Sequence, residues 1–119
     1  MKYFLDTYAM IEILAENQAY EKYLEFECAT CCFNLYELAF QLLKKNEALA
    51  VESFNSFLTF SIRIDDEWFL EAARFRMLHK SQDLSYADCI GYIAAFKSGM
   101  IFLTGDKEFK GMPNVELVK

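Results

Sequence analysis

The chain has 119 residues, 55% of them hydrophobic and 17% aromatic, a composition that excludes a disordered chain. Its formal charge of −6 argues against a module that coats nucleic acid with a basic surface, though not against an enzyme whose bound cations meet the phosphates. No apolar stretch reaches the roughly 18 to 20 residues of a membrane span, and Asp6 and Glu12 interrupt any signal-peptide run, so a cytoplasmic protein is expected.

One Pro and four Gly leave little room for linkers, and a single domain over residues 1–119 is expected. KYFL (residues 2–5) reads as a short buried strand: apolar, unbroken and stopped by a polar pair. Thr7 is suited to cap a helix running to about Ala15, and a second helix is predicted from about Asn17 to Phe26. ATCCF (29–33) is the next strand-like run. NLYELAFQLLKKN (34–46) follows as a helix, with Leu35, Leu38, Ala39, Leu42 and Leu43 at helical spacing. Glu47 to Phe60 is predicted helical and Ser61 to Ile64 a short strand. DDEWFLEAARFRMLHK (65–80) opens with acids and places Phe69, Ala72, Ala73 and Met77 on one helical face. SYADCIGYIAAFKSG (85–99) is a helix closed by Gly99, MIFLT (100–104) a strand, GDKEFKG a turn or single helical turn, and VELV (115–118) a last strand. Strands alternating with helices predict a three-layer α/β/α fold around a parallel sheet of about five strands. Cys28, Cys31, Cys32 and Cys89 have one distant histidine, His79, as a potential co-ligand, and read as reduced thiols packing as small apolar residues.

Four acids occupy comparable places in this layout. Asp6 follows the first strand and Asp106 follows MIFLT. Glu37 falls in the first turn of the helix after ATCCF, and Asp88 in the first turn of the helix before MIFLT. In a parallel α/β sheet such positions share the carboxyl edge, where these folds bind ligands. Each acid also has a purely structural reading. Asn34-x-x-Glu37 and Ser85-x-x-Asp88 resemble capping boxes, Asp106 suits a helix cap, and Asp6 suits the positive end of a helix dipole. Considered together, four converging carboxylates would repel one another unless a cation lies between them. An all-oxygen set suits Mg²⁺ or Mn²⁺, and the chemistry implied is metal-assisted phosphodiester hydrolysis. Asp6 and Asp88 are the expected direct metal ligands, with Asp106 and Glu37 acting through water or on a second ion. Thr7 and Thr104 are candidates to orient carboxylates or water, and Asn34 is read as a helix cap.

These motifs, LDT near the start, an NLYELA helix with its Glu, LSYADCIGYIAA and FLTGDKEF, resemble the PIN-domain nucleases over nearly the whole chain. Size and motif order are similar to those of VapC-like toxin ribonucleases from toxin–antitoxin pairs. The resemblance implies that Asp6, Glu37, Asp88 and Asp106 correspond to the family's acidic quartet. It also implies a five-stranded parallel sheet, Mg²⁺ or Mn²⁺ dependence, and RNA as substrate.

Lys107 and Lys110, flanking Asp106, are candidate phosphate contacts, and Tyr8, Tyr36, Tyr86 and Phe109 lie beside the quartet where bases could stack. The stretch from Tyr8 to Phe26 and SFNSFLTFSI (53–62) carry more apolar surface than a small monomer covers, which hints at a homodimer interface, an antitoxin-binding groove, or both. Alternative readings are an inactive PIN-like binding module and a housekeeping RNA-processing nuclease. A receiver-type phosphoacceptor would need an acidic pair after the first strand, where Thr7 follows Asp6. A haloacid-dehalogenase-type phosphatase would need a second Asp where Tyr8 stands.

Overall fold

The computed structural model describes residues 1–119. The apolar run Lys2–Leu5 forms β1, one of two inner strands, which pairs in parallel with β2 (Glu27–Ala29) on one side and β3 (Ile101–Thr104) on the other. β3 pairs in parallel with β4 (Val115–Leu117), giving the order β2-β1-β3-β4. Between the strands lie α1 (Thr7–Leu14), α2 (Cys32–Leu43), α3 (Glu47–Leu58), α4 (Asp66–Leu78) and α5 (Tyr86–Lys97), with 3-10 turns at Gln18–Glu25 and Lys107–Phe109.

Strand alternation divides the core. Tyr3, Leu5 and Leu103 point to one face, where α1, α2 and α3 cover them with Met10, Leu35, Leu38 and Phe57. Phe4 and Phe102 point to the other, stack with ring centroids 5.8 Å apart, and are covered by α4 and α5 through Ala72, Ile90 and Tyr92. Each fully buried Phe contributes about 1.5–3 kcal/mol of apolar transfer. The result is the expected three-layer α/β/α arrangement around a parallel sheet. No helix is long and apolar enough to cross a membrane.

The sheet has four strands rather than about five. The predicted strand Ser61–Ile64 makes only a bridge from Ser61 to Thr30, bounded by Thr30 N–H to Phe60 O and Ile62 N–H to Thr30 O. It stops there because its partner stops: β2 ends at Ala29 and α2 begins at Cys32. ATCCF is therefore not a strand but a strand end, a turn and a helix start. The two predicted helices nearest it change accordingly. Residues 18–25 wind as a 3-10 turn capped by Asn17, and α2 starts two residues earlier than the sequence suggests, with Cys31 as its cap.

The chain leaves β1 toward β2 on one side, then crosses over and reaches β3 on the other. The carboxyl ends of β1 and β3 thus flank the point where strand order reverses, the place where open α/β sheets form a ligand crevice. Gly91 lets α5 close on this frame. A Cβ there would lie 2.7 Å from Asn34 Oδ1 and 3.1 Å from the Phe4 ring, both fully buried. Gly91→Ala is expected to cost about 2 kcal/mol by overpacking and to lower the thermal midpoint by several degrees. An unchanged midpoint in a melting curve would contradict this packing.

Candidate active site

Asp6 is the residue on which the site is built. Its N–H donates to Leu103 O at 3.3 Å, continuing the β1–β3 ladder past the end of β1. Its Oδ1 accepts from Ala9 N–H at 2.8 Å, making Asp6 the N-cap of α1, and its Oδ2 accepts from the Thr104 hydroxyl. The same hydroxyl oxygen accepts from Asp106 N–H at 3.0 Å. Thr104 therefore ties the start of α1 to the loop after β3. Asp106 in turn caps the short 3-10 turn, its Oδ1 accepting from Glu108 N–H at 3.0 Å.

The expectation that Thr7 caps α1 is corrected here: Asp6 is the cap. Thr7 is buried in the first turn, its hydroxyl donating to Asn34 O at 3.2 Å and accepting from Asn34 Nδ2 at 3.4 Å. Asn34 is likewise no cap. It sits inside α2, where it accepts from Cys31 Sγ at 3.2 Å and joins α2 to α1. The second capping box is present with both arms: Asp88 N–H donates to Ser85 Oγ at 3.0 Å, and Ser85 N–H donates to Asp88 Oδ2 at 2.8 Å.

Asp6, Glu37, Asp88 and Asp106 line one open cavity of about 430 Å³ at the carboxyl edge of the sheet. Asp83 also lines it, as do Tyr8, Gln41 and Ser85, and Arg76 is its sole Lys or Arg. Neither of the chain's two ion pairs, Lys2–Glu27 and Lys97–Glu71, reaches these acids. Lys107 and Lys110 line a neighbouring cavity with Lys119, and Tyr8 separates it from the acidic one by lining both. Asp83 and Gln41 were not legible in the sequence. Asp83 sits in an aperiodic loop, where its N–H donates to Glu108 Oε1 at 2.8 Å.

Burial and mutual repulsion dominate the electrostatics. Asp6 is 1% exposed, and loss of hydration pushes its carboxyl up to about 8, against the lowering effect of the Thr104 and Ala9 hydrogen bonds; Asp88 and Asp106 push it further up. Asp88 is raised to about 6, first by burial, then by Glu37 and Asp106, against the Ser85 hydrogen bonds. Tyr20 packs behind the site beside Gly105, and burial together with the Asp6 charge raises its phenol. As placed, no three carboxylate, thiol or imidazole groups lie close enough to hold a metal ion. The donor chemistry nonetheless fits a hard divalent cation: four carboxylates and adjacent hydroxyls, with no paired cation to neutralise them.

A family model, that of the PIN domain, matches residues 3–115. No curated protein matches the chain. Among solved structures, the chain is similar to a toxin–antitoxin complex from Klebsiella pneumoniae (19% identity, TM-score 0.76, covering 96% of this chain and 95% of that one). It is similar to VapBC2 from Rickettsia felis, solved on a promoter DNA fragment (21%, 0.75, 98% and 97%). It is also similar to Mycobacterium tuberculosis VapC20, a toxin that cleaves the sarcin-ricin loop (16%, 0.79, 98% and 99%).

The raised carboxyls make metal-free stability pH-dependent. Between the ordinary Asp value of 3.8 and about 8, the folded chain keeps a proton on Asp6 that the unfolded chain releases. The unfolded state binds fewer protons, so stability falls as pH rises through that window, with Asp88 adding to the fall up to about 6. Thermal melts in EDTA should show the midpoint descending from pH 5 to pH 8, with a shallower descent in Asp6→Asn. An ascending midpoint would contradict the burial of Asp6 as an uncompensated acid.

Proposed function

We propose that this chain, which belongs to the PIN-domain family, is a Mg²⁺- or Mn²⁺-dependent endoribonuclease that hydrolyses RNA phosphodiester bonds and serves as the toxin of a toxin–antitoxin pair. One observation carries this reading: four carboxylates from four separate segments line a single crevice at the sheet's switch point, with no ion pair to neutralise them. Asp6 and Asp88 are the residues that would hold a cation directly, with Asp106 and Glu37 acting through water or at a second position. A bound divalent cation supplies charge neutralisation, an activated water and stabilisation of the leaving oxygen.

The chain's own residues orient the donors. Thr104 fixes the Asp6 carboxylate against rotation, the Ser85 N–H does the same for Asp88, and Thr7 with Asn34 locks α1, the helix that Asp6 caps, to α2, the helix that carries Glu37. Lys107, Lys110 and Lys119 flank the crevice where they would guide backbone phosphates toward an otherwise acidic surface. RNA as the substrate is supported by the likeness to a toxin that cleaves the sarcin-ricin loop.

In the stretches Tyr8–Phe26 and 53–62, the exposed apolar side chains Tyr8, Leu24, Phe26, Leu58 and Phe60 are the ones that a second copy or an antitoxin segment would cover. In this reading residues 1–119 act as one domain in the cytoplasm.

Purified protein incubated with single-stranded and structured RNA should cleave with Mg²⁺ and stop with EDTA. Asp6→Asn and Asp88→Asn should fall to background, and Thr104→Val should lose about 10- to 100-fold, as expected for a residue that orients a ligand. Cleavage by Asp88→Asn at the wild-type rate would overturn the site assignment.

A further inference from the structure

Beside the acidic crevice lies a second cavity, about 330 Å³, between α4 and α5. Eight of its nine lining residues are hydrophobic, and Phe33, Phe69, Met77, Tyr86 and Cys89 form its walls. Its one charged residue is Arg76, which also lines the acidic crevice, so the two cavities meet at this side chain. Arg76 is held in place: its Nε donates to Leu84 O at 3.2 Å, and its guanidinium carbon lies 4.5 Å from the Tyr86 ring centroid. Neither ion pair of the chain engages it. Tyr86 is 77% exposed and Met77 68%, while Phe33 and Phe69 meet edge to face at 5.4 Å. The periodicity of α4 marks Phe69 and Met77 as a buried face, yet the fold leaves them open.

We infer that this slot binds an unpaired nucleobase of the RNA strand whose backbone lies across the carboxylates, an inference that rests on the nuclease reading above. Three features favour a base over an apolar peptide. The slot opens onto the crevice that would hold the phosphodiester. Its junction carries the crevice's sole cationic side chain, suited by its planar donor fork to a backbone phosphate. Its outer wall is a tyrosine ring with one face backed by that guanidinium, which orders the ring as a stacking platform for any base. A base stacked in a duplex cannot reach such a slot, so the nucleotide that enters it is unpaired.

The test reads the slot separately from catalysis. Adenosine 5′-monophosphate titrated into isotope-labelled wild-type protein should shift the amides of Phe69, Ala73, Met77 and Cys89 in NMR spectra. The shifts should vanish in Tyr86→Ala and persist in Tyr86→Trp, which keeps the stacking face; Tyr86 is exposed enough for both variants to keep the fold intact. In cleavage assays on single-stranded RNA, Tyr86→Ala should raise KM about tenfold, the order expected for one lost stacking contact, with kcat little changed and Tyr86→Trp restoring KM. If the wild type cuts RNA and Tyr86→Ala cuts it with unchanged KM, the slot inference fails while the nuclease reading stands. If no RNA is cut but the Tyr86-dependent shifts appear, the slot binds nucleotide and the nuclease reading fails. Slot amides that respond to a short apolar peptide and not to the mononucleotide would assign the slot to a protein partner and overturn the inference.

Discussion

A carboxyl group almost wholly removed from water, held by the Ala9 N–H and the Thr104 hydroxyl at the seam between β1 and β3, is the constraint around which the rest is organised. Burial of a carboxylate is costly unless it is protonated, paired or bound to a cation. Asp6 has no paired cation, and its two hydrogen bonds do not offset its desolvation, as the rise of its carboxyl to about 8 indicates. The seam exists because the chain turns one way after β1 and the other way after β3. Thr104 completes it, passing a hydrogen-bond chain from Asp106 N–H through its own hydroxyl to Asp6 and so linking residues from opposite ends of the sequence.

A capping role does not exclude a ligand role for these acids. Asp6, Asp88 and Asp106 each use at least one carboxylate oxygen at a helix start, where the dipole favours an anion. Asp88 spends Oδ2 on Ser85 and Asp106 spends Oδ1 on Glu108, and the other oxygen of each takes no protein hydrogen bond. The cap fixes the rotamer and leaves half of the group for something else. Such an arrangement costs stability, because like charges gathered at one edge weaken the fold that gathers them.

Much of the frame could be read from residue patterns. β1, β3, α4 and α5 lie within two residues of their expected bounds because each is a strongly patterned run with clear stops, such as Gly99 in a left-handed conformation after α5. ATCCF misled because a five-residue apolar run has no period that separates a strand end from a helix start. Ser61–Ile64 misled for a different reason: a strand needs a partner of its own length, and β2 is too short. Thr7 and Asn34 looked like caps from their residue types, but tertiary contact between α1 and α2 claims both. The sequence placed the four acids at comparable positions, whereas Asp83, Gln41 and the role of Arg76 as the wall between two cavities depend on how α2, α4 and the loop before α5 meet in space.

In the proposed mechanism Asp6, Glu37, Asp88 and Asp106 act together as one cation-binding unit. A Mn²⁺ titration, followed by calorimetry on the wild type and on four single variants with each acid replaced by its amide, tests it most directly. Saturable binding by the wild type, loss of binding in Asp6→Asn and Asp88→Asn, and weaker binding in Glu37→Gln and Asp106→Asn are expected. Wild-type affinity retained in Asp6→Asn and Asp88→Asn would contradict this mechanism.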